Sequence, residues 1–111
     1  MIQEAILLEK KFDDNGYIKV FINKKWILEQ RWIVEQFILR ELTSNEVIHH
    51  IDNNKLNNNL DNLLLFNSQK EHKSFENKIR QFGKTNPIKR EILKIKELML
   101  IERSKNLGVE L

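Results

Sequence analysis

Apolar positions along the chain change their spacing several times, and each change predicts a different element. Residues 5–12 are apolar with a polar end, Asp13-Asp14-Asn15-Gly16 is a turn signal, and residues 17–22 are rich in β-branched and aromatic side chains. That order predicts a β-hairpin, with Asn15-Gly16 supplying the positive φ angles of its turn. Asn23-Lys24-Lys25 reads as a second turn, and residues 26–28 continue as a third strand. Over residues 29–42 the spacing becomes helical. Trp32, Ile33, Phe37 and Ile38 recur with Glu29, Arg31, Glu35 and Arg40 between them, and Thr43-Ser44-Asn45 ends the helix.

Residues 47–51 and 63–66 read as two short strands flanking a loop, 52–62, that holds six asparagines and two aspartates. Short polar side chains that bond their own backbone can order such a loop without regular structure, and Asn57, Asn58 and Asn59 are read here as turn formers. Ser68 with Glu71 three residues later forms a capping box for a helix running to about Phe82. Gly83 and Asn86-Pro87 interrupt the chain, and Pro87 suits the first turn of a new helix. Ile88, Ile92, Ile95 and Met99 then form an apolar stripe along a helix of roughly 16 residues. The stripe is too short for a coiled coil, so docking on the protein's own body is the expectation and a homodimer through this C-terminal helix the alternative.

Composition narrows the class. A chain of 111 residues suits one domain with a modest core. It has no apolar run of membrane-spanning length and its start lacks the zones of a signal peptide, so a soluble, cytoplasmic protein with no membrane partner is expected. The absence of cysteine excludes disulfides and thiolate zinc sites, leaving His, Asp, Glu and Asn as ligands. Residues 1–66 hold 8 basic and 10 acidic side chains, and residues 67–111 hold 11 and 6. A basic second half suits a densely negative partner such as nucleic acid, although a solvated Lys-rich helix has the same composition.

All three histidines fall between residues 46 and 77. In a strand over 47–51, adjacent His49 and His50 point to opposite faces, so both cannot lie in the core and at least one faces a pocket or solvent. His72 follows in the first turns of the next helix, with Glu76 one turn further along the same face. Two imidazoles converging from strand and helix, with a carboxylate beside them, would make a metal site. The third imidazole would be free to act as a base near neutral pH. A purely structural histidine cluster fits the same positions.

The spacing of His49-His50-Ile51-Asp52, Lys55-Leu56-Asn57-Asn58, Asp61-Asn62-Leu63 and Ser68-x-x-Glu71-His72 closely resembles the HNH endonuclease family, especially its short phage and mobile-element members. The helix carrying Arg31, Glu35 and Arg40 ahead of Glu46-Val47 is similar to the segment that precedes the motif there. The resemblance implies an α+β protein: an N-terminal antiparallel hairpin or meander and a helix, then a ββα-metal motif, then a C-terminal helix. Residues 1–83 would be the nuclease domain, with its ββα-metal core at about 46–82, and residues 84–111 a helical appendage. It further implies that His50 is the general base and His49 and His72 are metal ligands. Asn62 would pin the hairpin loop and thereby hold the base. Many relatives carry a second helix histidine where this chain has Glu76, and a carboxylate ligand there would favour magnesium or manganese over zinc or nickel. Asn53 stands where relatives often carry glycine, which Asn can replace in a left-handed conformation.

By the same resemblance the implied activity is one-metal hydrolysis of DNA, double-stranded in the first instance, with Lys70, Lys73, Lys78, Arg80 and Lys84 available to phosphates. If the chain is phage-encoded it would act in the host cytoplasm. Two rival readings are a non-cleaving nucleic-acid-binding module of the same fold and a structural or assembly protein with a structural metal.

Overall fold

The computed structural model describes residues 8–83 and 85–108. Its first layer is a meander of β1 (Lys10–Phe12), β2 (Ile18–Ile22) and β3 (Lys25–Leu28), antiparallel throughout. The start of the expected first strand lies outside the described residues. The first turn is built differently from the sequence expectation, because only Gly16 takes a positive φ, 83°, and Asn15 does not. Asp13 holds the turn instead, its Oδ1 accepting from the amides of Asn15 and Tyr17, both at 2.9 Å. This is a three-residue loop with a glycine bulge, in which one left-handed residue suffices. The paired positive φ angles occur at the second turn, in Asn23 and Lys24 at 50° and 65°, where a two-residue loop joins Ile22 to its partner Lys25.

Strand β3 passes directly into α1 (Glu29–Ile38). The helix stops four residues short of the expected end. Leu39 adopts a left-handed conformation, φ 64°, and its amide closes on the Glu35 carbonyl. The Glu35 carboxylate then accepts from the Leu42 amide at 2.8 Å, turning the chain toward the second sheet. Val34 and Ile38, one turn apart, are fully buried, and Ile33 and Phe37 pack beside them.

The second sheet is the hairpin β4 (Val47–His50) and β5 (Leu63–Phe66), with His49 opposite Leu64 and His50 opposite Leu63. Alternation along both strands separates two apolar clusters. Leu63, with Ile48 and Leu65, joins Val34, Ile38 and Met99 on one face. Leu64 and Phe66 join Phe75 and Ile88 on the other. Helix α2 (Gln69–Phe82) lies across the second face, started by Ser68, whose Oγ accepts from the Glu71 amide at 3.2 Å.

Helix α3 (Asn86–Asn106) is 21 residues long, beyond the expected 16 or so. Ile88 and Met99 of its stripe are buried and Ile95 touches both clusters, so the stripe docks on the protein's own body. The extra turns have a task. Arg103 Nη1 and Asn106 Nδ2 donate to the carbonyls of Phe37 and Ile38 at 2.8 and 2.6 Å, satisfying orphan acceptors at the end of α1. Among the described residues no helix is long and apolar enough to cross a membrane.

Candidate metal centre and active site

Strand β4 ends on the two histidines, and its pleat sends them to opposite sides. His49 turns toward α2, where it is 6% exposed and lies edge-on to Phe66 and Phe75, with ring centroids 6.3 and 5.4 Å away. These two aromatic walls leave its Nδ1 facing the helix. From α2, His72 brings Nε2 to 2.9 Å of that Nδ1, and Glu76, at i+4, brings Oε1 to 2.8 Å of His72 Nε2 and 4.0 Å of His49 Nδ1. Across the His72 ring, Nδ1 lies 3.4 Å from Gln69 Oε1, a contact too weak to set the tautomer against the 2.8 Å approach of the Glu76 carboxylate to Nε2. The three donor atoms lie within 4.8 Å of one another, and two imidazole nitrogens with a carboxylate oxygen suit a divalent cation.

Electrostatics favour a neutral ligand at His49. Burial, then the neighbouring His72 and His50, lower its pKa from the ordinary 6.5, and Glu76 only partly opposes them. A deprotonated imidazole is the form that coordinates.

His50 occupies the other face, 8% exposed, beside Tyr17 with ring centroids 6.3 Å apart. Its Nε2 lies 2.7 Å from Asn58 Oδ1, and Asn58 Nδ2 donates to Glu29 Oε1 at 2.9 Å. Asn58 is therefore not the turn former expected of it, while Asn57 is. Asn57 Oδ1 accepts from the Asn59 amide and Asn57 Nδ2 donates to Asp52. Sequence reasoning missed Asn58 and Glu29 as site residues. The signal for Asn58 was its fixed place in the Asn57-Asn58 pair; none marked Glu29.

Asn62 fastens the loop to itself. Its Nδ2 donates to Asp52 Oδ1 and to the Asn57 carbonyl at 2.9 and 2.8 Å, and its Oδ1 accepts from the Asp52 amide at 3.1 Å. Hydrogen bonds from Asn57, the Asn54 amide and Asn62 hold the Asp52 carboxyl below its ordinary range. Asn53, just beyond, is left-handed with φ 59°, the conformation expected from its place in the motif.

The basic side chains divide. Lys73 and Arg80 stand three residues before and four after Glu76, on the metal side of α2, both exposed, with Arg80 touching Asn77. Lys78 projects from the opposite side and pairs with Glu91 of α3 at 3.2 Å, which draws it away from the site. Lys70 is exposed near the helix start, and Lys84 lies outside the described residues.

A strand hairpin crossed by a helix, with two imidazoles and a carboxylate converging between them, defines a ββα-metal type of site. A family model described as HNH endonuclease matches residues 29–73, which runs from Glu29 through both strands to the residue after His72. This segment is similar to the HNH endonuclease family, whose members are DNA-acting nucleases that generally use a divalent metal. Comparisons with curated proteins and with solved structures returned no significant match.

Proposed function

We propose that the protein is a metal-dependent endonuclease that hydrolyses phosphodiester bonds of duplex DNA, by nicking or by cutting both strands, in the cytoplasm. The observation that carries this reading is the convergence of His49, His72 and Glu76 beside a second, separately held histidine, His50. Residues 1–83 form the nuclease unit around a core at 46–82, and residues 84–111 an appendage whose helix buttresses it.

His49, His72 and Glu76 hold one divalent ion, and the mixed nitrogen and oxygen set favours magnesium or manganese while allowing zinc or nickel. When bound, such an ion supplies charge neutralisation at a phosphate oxygen and at the leaving oxygen. His50 takes the proton from the attacking water, leaving 5′-phosphate and 3′-hydroxyl ends. Asn62 keeps the loop that carries His50's partner in one shape. Lys73 and Arg80, with Lys70, meet backbone phosphates, which position the duplex without reading sequence.

The test is relaxation of supercoiled plasmid with magnesium, manganese, nickel or zinc. His50→Ala should lower the cleavage rate about 10²- to 10⁴-fold with metal binding retained. Plasmid that stays supercoiled with every metal, yet is bound, would favour a non-cleaving binding module, the reading that Glu76 in place of the family's usual histidine supports. An unchanged cleavage rate in His50→Ala would remove His50 from the chemistry.

A further inference from the structure

Asn58 lies between an acceptor and an imidazole, and that order decides which nitrogen of His50 carries a proton. Glu29 sits where β3 meets α1, is buried, and pairs through Oε2 with Lys10 of β1 at 2.7 Å. Desolvation by burial pushes its carboxyl up, but hydrogen bonds from Lys10 and Asn58, with the charge of Lys10, outweigh that and hold it below its ordinary range. An ionised carboxylate can only accept. Its 2.9 Å contact with Asn58 therefore comes from an Nδ2–H, and the amide oxygen must face the other way, 2.7 Å from His50 Nε2. An amide oxygen also only accepts, so Nε2 is the protonated nitrogen and a neutral ring keeps its lone pair on Nδ1.

We propose that Asn58, oriented by Glu29, is a positioning residue that fixes both the tautomer and the ring plane of His50. The assignment rests on the reading of His50 as general base. Asn58 is 7% exposed, and a buried amide is costly unless its donor and acceptor are both used. Its two partners here come from β4 and from the start of α1, so the catalytic hairpin is keyed to the N-terminal layer through one side chain. The neighbouring Asn57 spends its side chain inside the loop, which an asparagine serving only as a turn former would also do. Lys10 completes the series by keeping the Glu29 carboxylate charged within a buried setting.

The experiment compares full-length wild type, Asn58→Leu and Glu29→Gln in two measurements. Proton–nitrogen NMR of the histidine rings should show a slowly exchanging His50 Nε2–H in the wild type, lost in Asn58→Leu and exchanging faster in Glu29→Gln, whose amide can present either polarity to Asn58. With manganese, kcat for plasmid cleavage should fall about 10- to 100-fold in Asn58→Leu and less in Glu29→Gln, with KM for DNA and manganese affinity unchanged. A folded Asn58→Leu with wild-type kcat, or a wild type lacking the protected proton, overturns the proposal. If Asn58→Leu fails to fold in a thermal melt, Glu29→Gln decides, and unchanged kcat and proton exchange there overturn it. Failure of the underlying reading is separate: cleavage retained in His50→Ala removes the base, while the Nε2–H signal still reports the hydrogen bond.

Discussion

In the proposed metal site, position 76 is the place where ion preference is open to test. Glu76 Oε1 lies within hydrogen-bond reach of His72 Nε2 and 4.0 Å from His49 Nδ1, so it closes the donor set from the helix side. A carboxylate there adds a hard oxygen and negative charge, both of which suit manganese or magnesium, whereas a third imidazole would suit zinc. Glu76→Ala should weaken manganese binding at least about 10- to 100-fold, the range seen when even an outer partner of a ligand is lost. Glu76→His should raise the preference for zinc over manganese, and calorimetric titration of the two ions reads both effects. Manganese binding to Glu76→Ala at wild-type strength would show that Glu76 points away from the ion. The pairing of His72 with Glu76 was legible because the i,i+4 step of a helix is a local rule, whereas strand alternation only separated His49 from His50 and the resemblance alone chose between them. Asn58 was not legible, since a loop with six asparagines has no period and its partner Glu29 lies 29 positions earlier.

At the scale of elements, the apolar stripe of α3 was readable from its spacing, and the expectation that it docks on the protein's own body is met. Ile88 and Met99 are buried against the protein's own strands and helices. Met99→Ala should cost about 2–5 kcal/mol, the range for truncating a buried side chain in a packed core. Leu93, 65% exposed on the outer side of the same helix, should tolerate Ala within about 0.5 kcal/mol. Urea denaturation of both variants separates the two faces, and equal costs would contradict the packing. The two misjudged helix ends have different causes. Residues 39–42 look helical in isolation, but Leu39 turns left-handed and Arg40 is drawn away by Glu46 and Glu102. The polar end of α3 stays helical because Arg103 and Asn106 bond the last carbonyls of α1. The α3 outcome depends on partners more than 60 positions away, whereas the α1 end is set within a few residues, by the Leu39 cap on Glu35 and the Arg40–Glu46 pair.

For the whole molecule, Glu46 is where the layers are joined. It is 6% exposed, and its carboxylate accepts from Arg40 Nη1 and Nη2, each at 2.7 Å, and from the Thr43 amide at 2.8 Å. Arg40 extends the link to Glu102 of α3, and Arg31 of α1 donates to the carbonyls of Glu46 and Thr43 at 2.6 and 2.7 Å. The Glu46 carboxylate thus ties the turn after α1 to the start of β4, with Arg31 adding the link to α1 and Arg40 the link to α3. The hydrogen bonds from Arg40 hold the Glu46 carboxyl below its ordinary 4.5 against the opposing effect of burial, and Thr43 adds to the lowering. A carboxyl with a depressed folded pKa binds its proton more readily when unfolded. Its contribution is therefore complete above the unfolded value of 4.5 and is lost as pH falls through the lower folded value. Urea midpoints of the metal-free protein should accordingly decline in two stages, first below about pH 6.5 as unfolded His49 takes up its proton, then below about pH 5 as Glu46 does. Glu46→Gln should cost about 1.5–3 kcal/mol at pH 7, the worth of hydrogen bonds to a charged group, and should flatten the acid decline. Glu102→Gln, at the more exposed end of the same network, should cost under about 1 kcal/mol. An acid decline in Glu46→Gln as steep as in the wild type would move the responsible carboxylate elsewhere, with Glu29 the next to substitute because Lys10 and Asn58 lower it in the same sense.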